Sequence, residues 1–402
     1  MWPYTGAAGT RRKRTHVKNE TSPISGGARV TRETPEGRPA GSASGPKKAP
    51  ETTESREAAE AREAREAAIA DFVARFCPGP DGEHFRNMIR TVCRLSADGT
   101  ARADVKLMDR ALAELRFAFK TFAPYEHIPK VSIFGSARTP EDHPDYQAAL
   151  RFAERMRECN WMVITGAGDG IMKAGHGGAG AEASFGVAIR LPFEQRTNEY
   201  IALDKKLVNF NYFFTRKLMF IRESKAIALF PGGFGTQDEG FEALTLIQTG
   251  KAPMVPVVLI DAPGGTYWQH WRTYVKAELL HTGMISAEDM NLIKITDDVE
   301  VAVQEILRFY RRFHSYRYVR DTLVIRLNEA LPADFIAGLN ADYADILEGG
   351  KIEASAALPE EGDELPDKPR LTMRFNRRSH GRLRKLLDAI NAVDLSESVA
   401  AH

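Results

Sequence analysis

Residues 229–239 read Leu-Phe-Pro-Gly-Gly-Phe-Gly-Thr-Gln-Asp-Glu. The apolar run from Ala226 to Phe230 suits a buried strand, and a helical pattern begins at Thr236. Between them Gly232, Gly233 and Gly235 let backbone N–H groups approach an anion with no Cβ in the way. A helix start adds unpaired N–H groups and the positive end of a dipole. Strand, glycine turn and helix together make a phosphate site. Phe234, Thr236 and Gln237 share that loop as candidate contacts. Asp238 and Glu239 stand in the expected first turn. A phosphate cradle does not need them, so they point to sugar hydroxyls, a water, or chemistry beside the phosphate. The competing explanation is a tight turn whose carboxylates complement the helix dipole.

Two more glycine turns follow apolar runs, Gly135-Ser136 and Gly166-Ala167-Gly168-Asp169-Gly170, and a basic pair, Arg216-Lys217, precedes the main loop. The elements that would position them alternate in type. Strands are expected over 131–134, 161–165, 186–191, 226–230, 255–260 and 292–295. Helices are expected over 144–158, from the second turn to 181, and over 212–222, 236–249, 267–279 and 297–313, with a loop at 192–211. This is an α/β pattern: a Rossmann-like, doubly wound parallel sheet with helices on both faces. Its ligands bind at the carboxyl ends of strands, where the glycine turns lie.

The ends differ from this unit. Residues 1–54 are polar and rich in Gly, Ser, Thr and Pro; the first fifty carry ten Lys/Arg against three acids, net +7. Such a segment cannot bury enough apolar surface to order itself, and a disordered basic tail is expected. Residues 55–129 read as an N-terminal helical extension, with helices to 76 and over 83–95 and 102–122. After the 130–314 unit, residues 315–402 read as a small α+β module of order β-α-β-β-α. Its strands fall at 323–327, 351–358 and 370–375, its helices at 332–347 and 379–391, and an acidic loop joins the paired strands. The 402-residue chain has a net charge of +1, which gives no case for nucleic acid as a partner. Its three cysteines, Cys77, Cys93 and Cys159, lack metal or disulfide spacing and suit a reducing cytoplasm. No apolar run is long enough to span a membrane.

Arg216-Lys217-x-Met219, followed by Pro231-Gly232-Gly233-x-Gly235-Thr236-x-x-Glu239, resembles the LOG family. That family comprises cytokinin-activating nucleoside 5′-monophosphate phosphoribohydrolases, long mislabelled lysine decarboxylases. Its Gly-rich turn ending in Gly-Leu-Met is matched by Gly166 to Met172, with Ala167 in place of a glycine and Ile171 in place of leucine. The resemblance covers roughly 130–310. It implies cleavage of the N-glycosidic bond of an AMP-like nucleotide to free base and ribose 5-phosphate. On that basis Arg216 and Glu239 are the catalytic pair. Lys217, Asp238, Thr245, Glu194 and the glycine turns (Gly135, Ser136, Gly166, Gly168, Gly170, Met172) are substrate contacts. No metal and no redox cofactor are expected, and a homo-oligomer is.

Several residues have alternative readings. Arg216 and Glu239 could form a structural ion pair. His176 could reach a purine or be inert, and Lys173 lacks the surroundings of a Schiff-base lysine. Phe210, Tyr212, Phe213 and Phe214 suit packing or a subunit contact better than base stacking. A non-catalytic nucleotide-binding sensor of the same fold is the rival function.

Overall fold

The computed structural model describes residues 53–191, 197–362 and 364–393. The expected basic tail, apart from its last two residues, lies outside them. The chain divides into two compact units, 1–92 and 93–402. In the first, α1 (Thr53–Phe76) leads to α2 (Gly82–Ala97), and the Arg90 guanidinium donates to Glu66 at 2.7 Å.

The boundary falls within α2; the second unit continues with α3 (Arg102–Phe122) and enters the sheet at β1 (Lys130–Phe134). There follow α4 (Pro144–Glu158), β2 (Met162–Thr165), α5 (Ile171–Ala179), β3 (Ser184–Ile189), β4 (Leu207–Phe210) and α6 (Phe213–Glu223). Then come β5 (Ala226–Leu229), α7 (Phe234–Gln248), β6 (Val257–Ile260), α8 (Tyr267–Tyr274), β7 (Ile293–Thr296) and α9 (Val299–Phe309). The central strands are short apolar runs, Val-Ser-Ile, Met-Val-Ile and Ala-Ile-Ala-Leu, buried at every residue as a sheet covered on both faces requires.

All pairings in this sheet are parallel, in the order β4-β3-β2-β1-β5-β6-β7. The chain winds outward from β1 in one direction, then restarts at β5 on the other side of β1. The crevice beyond the carboxyl ends of β1 and β5 is therefore the topological switch point, where this fold class places its ligands. One face packs Val131, Ile133, Val163, Ala226 and Ala228 against Phe152 of α4, Ile171 of α5 and Ile306 of α9. The other packs Phe134, Ile164, Val187 and Leu229 against Phe122 of α3, Phe220 of α6 and Ile247 of α7.

That second core continues without interruption into the C-terminal part. There β8 (Phe313–Val319), β9 (Thr322–Leu327), α10 (Ala333–Asp342), β10 (Glu353–Ser355), β11 (Arg370–Met373) and α11 (His380–Ala392) form a four-stranded antiparallel sheet of order β10-β11-β9-β8 with its helices.

The structure corrects the sequence reading at several points. The expected loop 192–211 contains β4, an edge strand with only Val208 and Phe210 buried; four residues with one outward face give too weak an apolar signal. The helix expected to reach 313 stops at Phe309, and residues 313–319 pair as β8. The C-terminal order is therefore β-β-α-β-β-α. The helix over 267–279 stops at Tyr274, and Val275–Leu280 continues as π-helix. The helix over 332–347 ends at Asp342 and the strand over 351–358 shrinks to 353–355.

Candidate functional site

The switch-point crevice opens into a cleft of about 790 Å³. Its floor is made by the three turns read from the sequence: Gly135 and Ser136 after β1, Gly166 after β2, and Gly232 to Gln237 after β5. Backbone hydrogen bonds lock the turns together. The Ser136 N–H donates to Pro231 O at 3.1 Å, and the Ile171 N–H donates to Ser136 O at 3.0 Å. Gly170 has φ +61°, and a Cβ there would lie 2.3 Å from Ser136 O, so the second turn can approach the first only through glycine.

Helix α7 begins at Phe234, two residues before the sequence reading placed it, with Gly233 as its cap. The Gln237 N–H donates to Gly233 O at 3.1 Å, the first bond of the helix. The N–H groups of Phe234, Gly235 and Thr236 precede it and have no intrahelical acceptor. A Cβ at Gly233 or Gly235 would meet nothing within 4 Å, so the helix start faces open space. A Cβ at Gly232 would sit 2.1 Å from Thr236 Oγ1, so Thr236 folds back over the turn. The earlier start also moves Asp238 and Glu239 out of the first turn, which has no acidic residue. Complementing the helix dipole therefore does not explain them.

Glu239 is 6% exposed and lines the cleft. No group among the described residues hydrogen-bonds to its carboxylate. Burial pushes its carboxyl up to about 7, against the pull of Lys217 and Arg216 and with the help of Glu242 and Asp238. Arg216 lines the same cleft from α6. Its Nε donates to Val187 O at 2.9 Å and its guanidinium lies 5.1 Å from the Phe220 ring centroid. Burial lowers its pKa, opposed by the Glu239 charge. A Cβ on Gly166 would lie 2.5 Å from Arg216 Nη2 and 2.7 Å from Met172 Sδ, so that glycine makes room for both side chains. Arg216 and Glu239 form no direct ion pair within 4 Å; they face the same space.

Helix α6 is held by a group with no sequence signal. Glu114 of α3, nearly buried, accepts from the Asn211 N–H and from Thr215 Oγ1, each at 2.8 Å. It anchors the start of the helix that carries Arg216 and Lys217, about a hundred residues away in the chain. Tyr267 was also missed. Its hydroxyl donates to Gly232 O at 2.6 Å and accepts from Gln237 Nε2 at 2.7 Å, pinning the loop. Its place just after β6, at the same sheet edge, is a signal that the fold class alone supplies. Phe134, Ala137, Arg138 and Phe213 complete the wall.

Other expected residues lie elsewhere. Gly168 and Gly170 shape the second turn but do not line the cleft; Gly168 O accepts from Asn198 Nδ2 at 2.9 Å. Lys217 lies behind the cleft, its Nζ 2.8 Å from Asp238 Oδ2 and 2.7 Å from Glu242 Oε2. Thr245, about three turns along α7, borders a separate hollow of about 90 Å³ with Phe241 and Trp271. Glu194 lies outside the described residues. His176 is fully buried, in contact with Thr165 Oγ1, Phe185 O and Asn198 at 3.0–3.2 Å, and burial lowers its pKa; it is a structural histidine. Lys173 pairs with Glu141 and Glu199. Phe210 is core, and Tyr212 stacks on Phe214 at 5.5 Å.

The parallel sheet and its switch-point cleft define a Rossmann-like α/β protein. Residues 167–306 match the family described as "Possible lysine decarboxylase", which agrees with the resemblance that the motifs carry. No curated protein matches the chain. Among solved structures it is similar to the molybdenum cofactor binding protein from Rippkaea orientalis (18% identity, 45% of this chain, 96% of that one, TM-score 0.34). It is likewise similar to the molybdenum cofactor carrier protein from Chlamydomonas reinhardtii (20%, 45% and 98%, TM-score 0.32). DNA processing protein A from Helicobacter pylori is a third (13%, 46% and 82%, TM-score 0.32). Among the described residues no helix is long and apolar enough to cross a membrane.

Proposed function

We propose that the cleft hydrolyses the N-glycosidic bond of an AMP-like purine nucleoside 5′-monophosphate, giving free base and ribose 5-phosphate. One observation carries this reading: Glu239, nearly buried and with no hydrogen-bond partner among the described residues, faces the cleft beside Arg216 and directly behind the open helix start. The three free N–H groups of α7 hold the 5′-phosphate, which anchors the sugar over Glu239. As the C1′–N bond lengthens, positive charge grows on the ribose, and the Glu239 carboxylate stabilises it. Water adds to C1′; its proton passes to Glu239, whose carboxyl, near 7, can return it to the departing base nitrogen. Arg216 holds anionic charge on the substrate and keeps part of the carboxylate population ionised. Asp238 lines the cleft, and in this reading it accepts from a ribose hydroxyl. The protein works as a cytoplasmic homo-oligomer in this reading.

The test is base release from a panel of nucleoside 5′-monophosphates, with the matching nucleosides as controls and Glu239→Gln alongside. Release from monophosphates alone, lost in the variant, supports the proposal and ranks the bases. Retention of AMP without release from any of them would replace it with the nucleotide sensor.

A further inference from the structure

Lys217 stands next to Arg216 in sequence but has a different place in the structure. Its side chain is 14% exposed, and its ammonium sits between two carboxylates of the neighbouring helix, Asp238 Oδ2 at 2.8 Å and Glu242 Oε2 at 2.7 Å. It is absent from the cleft lining, whereas Asp238 and Glu239 are part of it. On α7, Asp238 and Glu242 are four residues apart, so they share a face and repel each other. Glu239 lies beside one and three residues before the other. Three carboxylates thus crowd little more than one turn of helix, and Glu239 is the most buried of them.

Among the described residues, the cations that act most strongly on Glu239 both come from α6: Lys217 and Arg216. With both present, the five groups carry one net negative charge when all are ionised. Without Lys217 they would carry two, around a carboxylate already short of solvent. Burial works against the lysine's own charge, but the two carboxylates outweigh it and hold its ammonium above the ordinary lysine value.

Building on the phosphoribohydrolase reading above, we propose that Lys217 is a positioning residue rather than a substrate ligand. It clamps Asp238 and Glu242 to α6, fixes the Asp238 carboxylate at the edge of the cleft, and neutralises the charge that would otherwise fall on Glu239. The residue acts through its neighbours, and phosphate binding stays with the helix start.

The test titrates Glu239 directly and does not depend on turnover. Protein labelled with 13C at glutamate carboxyl carbons is followed by NMR from pH 5 to 9, with Glu239→Gln identifying the signal. In Lys217→Met the Glu239 titration moves up by about one unit, a tenfold change in its proton affinity; Lys217→Arg restores it. The double variant Asp238→Asn with Glu242→Gln removes the clamped charges while keeping the lysine, and moves the titration down. It decides the matter if the methionine variant does not fold. With AMP as substrate, the acid limb of the kcat/KM profile shifts with the NMR value in Lys217→Met. A titration that stays put in both the methionine and the double variants overturns the proposal. So does a loss in the methionine variant confined to KM and independent of pH. If wild type releases no base from any monophosphate, the functional reading fails, and the NMR titration still decides the role of Lys217.

Discussion

Glu239 concentrates the chemistry of the site, and its environment makes two pH effects that run in opposite directions. In the proposed hydrolysis activity needs the ionised form, so kcat/KM rises as pH passes through about 7. Stability follows the other sign. The folded state holds this proton more tightly than the unfolded chain, so the stabilisation is full below the ordinary glutamate range and is lost as pH rises through about 7. In Glu239→Gln the base release is lost while the melting temperature at pH 8 rises relative to wild type. At pH 4 the two proteins melt together. A shift from 4.5 to about 7 corresponds to about 3 kcal/mol at the upper end; thermal melts at both pH values check it. Ala167 gives a second residue-scale case. It holds φ +63°, a conformation that costs an alanine about 1–2 kcal/mol over glycine. Its methyl is buried with Ala188 and Ile201, which returns about 0.8 kcal/mol, and glycine would add about 0.5–1 kcal/mol of unfolded-state entropy. The terms nearly cancel. Ala167→Gly should change unfolding free energy by less than about 0.5 kcal/mol, whereas Ala167→Val, β-branched and buried at the same φ, should cost more than about 2 kcal/mol by denaturant titration.

At the scale of elements, the site is a set of loops tied by their backbones to the ends of β1, β2 and β5. Tyr267, at the start of α8, grips the glycine loop from outside, through Gly232 O and Gln237. Tyr267→Phe keeps the ring against Trp268 and removes both hydrogen bonds. Each is worth about 1 kcal/mol net, about 2 kcal/mol together, so KM for the proposed monophosphate rises by up to about thirtyfold with kcat within about twofold. Steady-state kinetics across substrate concentration separates the two. Much of this layer was legible in the chain. Glycines at three strand ends, with a helix directly after two of them, announce the cleft. Tyr267 and Glu114 were not legible, because each acts across a gap that pairing of distant elements closes. Edge strands β4 and β8 were missed for a related reason: their partners, rather than their own apolar pattern, make them strands.

Over the whole second unit, the apolar core makes the C-terminal sheet part of the α/β body. Phe309, Phe313, Leu323, Ile325 and Leu387 belong to the same buried cluster as Phe134, Phe220 and Leu229. Asn391 of α11 accepts from the N–H groups of Arg312 and Phe313 at 2.9 and 3.0 Å, closing the C-terminal helix onto the start of β8. A chain ending at residue 314 would expose that apolar surface. It should lose the single cooperative melt of the full chain and show the near-ultraviolet signal of a protein without fixed tertiary packing. A truncated chain that melts cooperatively near the wild-type temperature would show the boundary to be a true domain border.

The sequence by itself determined the parallel α/β class and the three glycine turns, because glycine conformations and strand–helix alternation are local properties. Only the tertiary structure decided which charges do what. Arg216 and Lys217 are adjacent in the chain, yet one enters the cleft and the other is held by Asp238 and Glu242. Asp238 and Glu239 are adjacent too, yet one is clamped at the surface and the other is nearly buried with its carboxyl near 7. Neighbours on a helix point in different directions, and desolvation and charge act through space, so the role of each follows from what the fold packs against it.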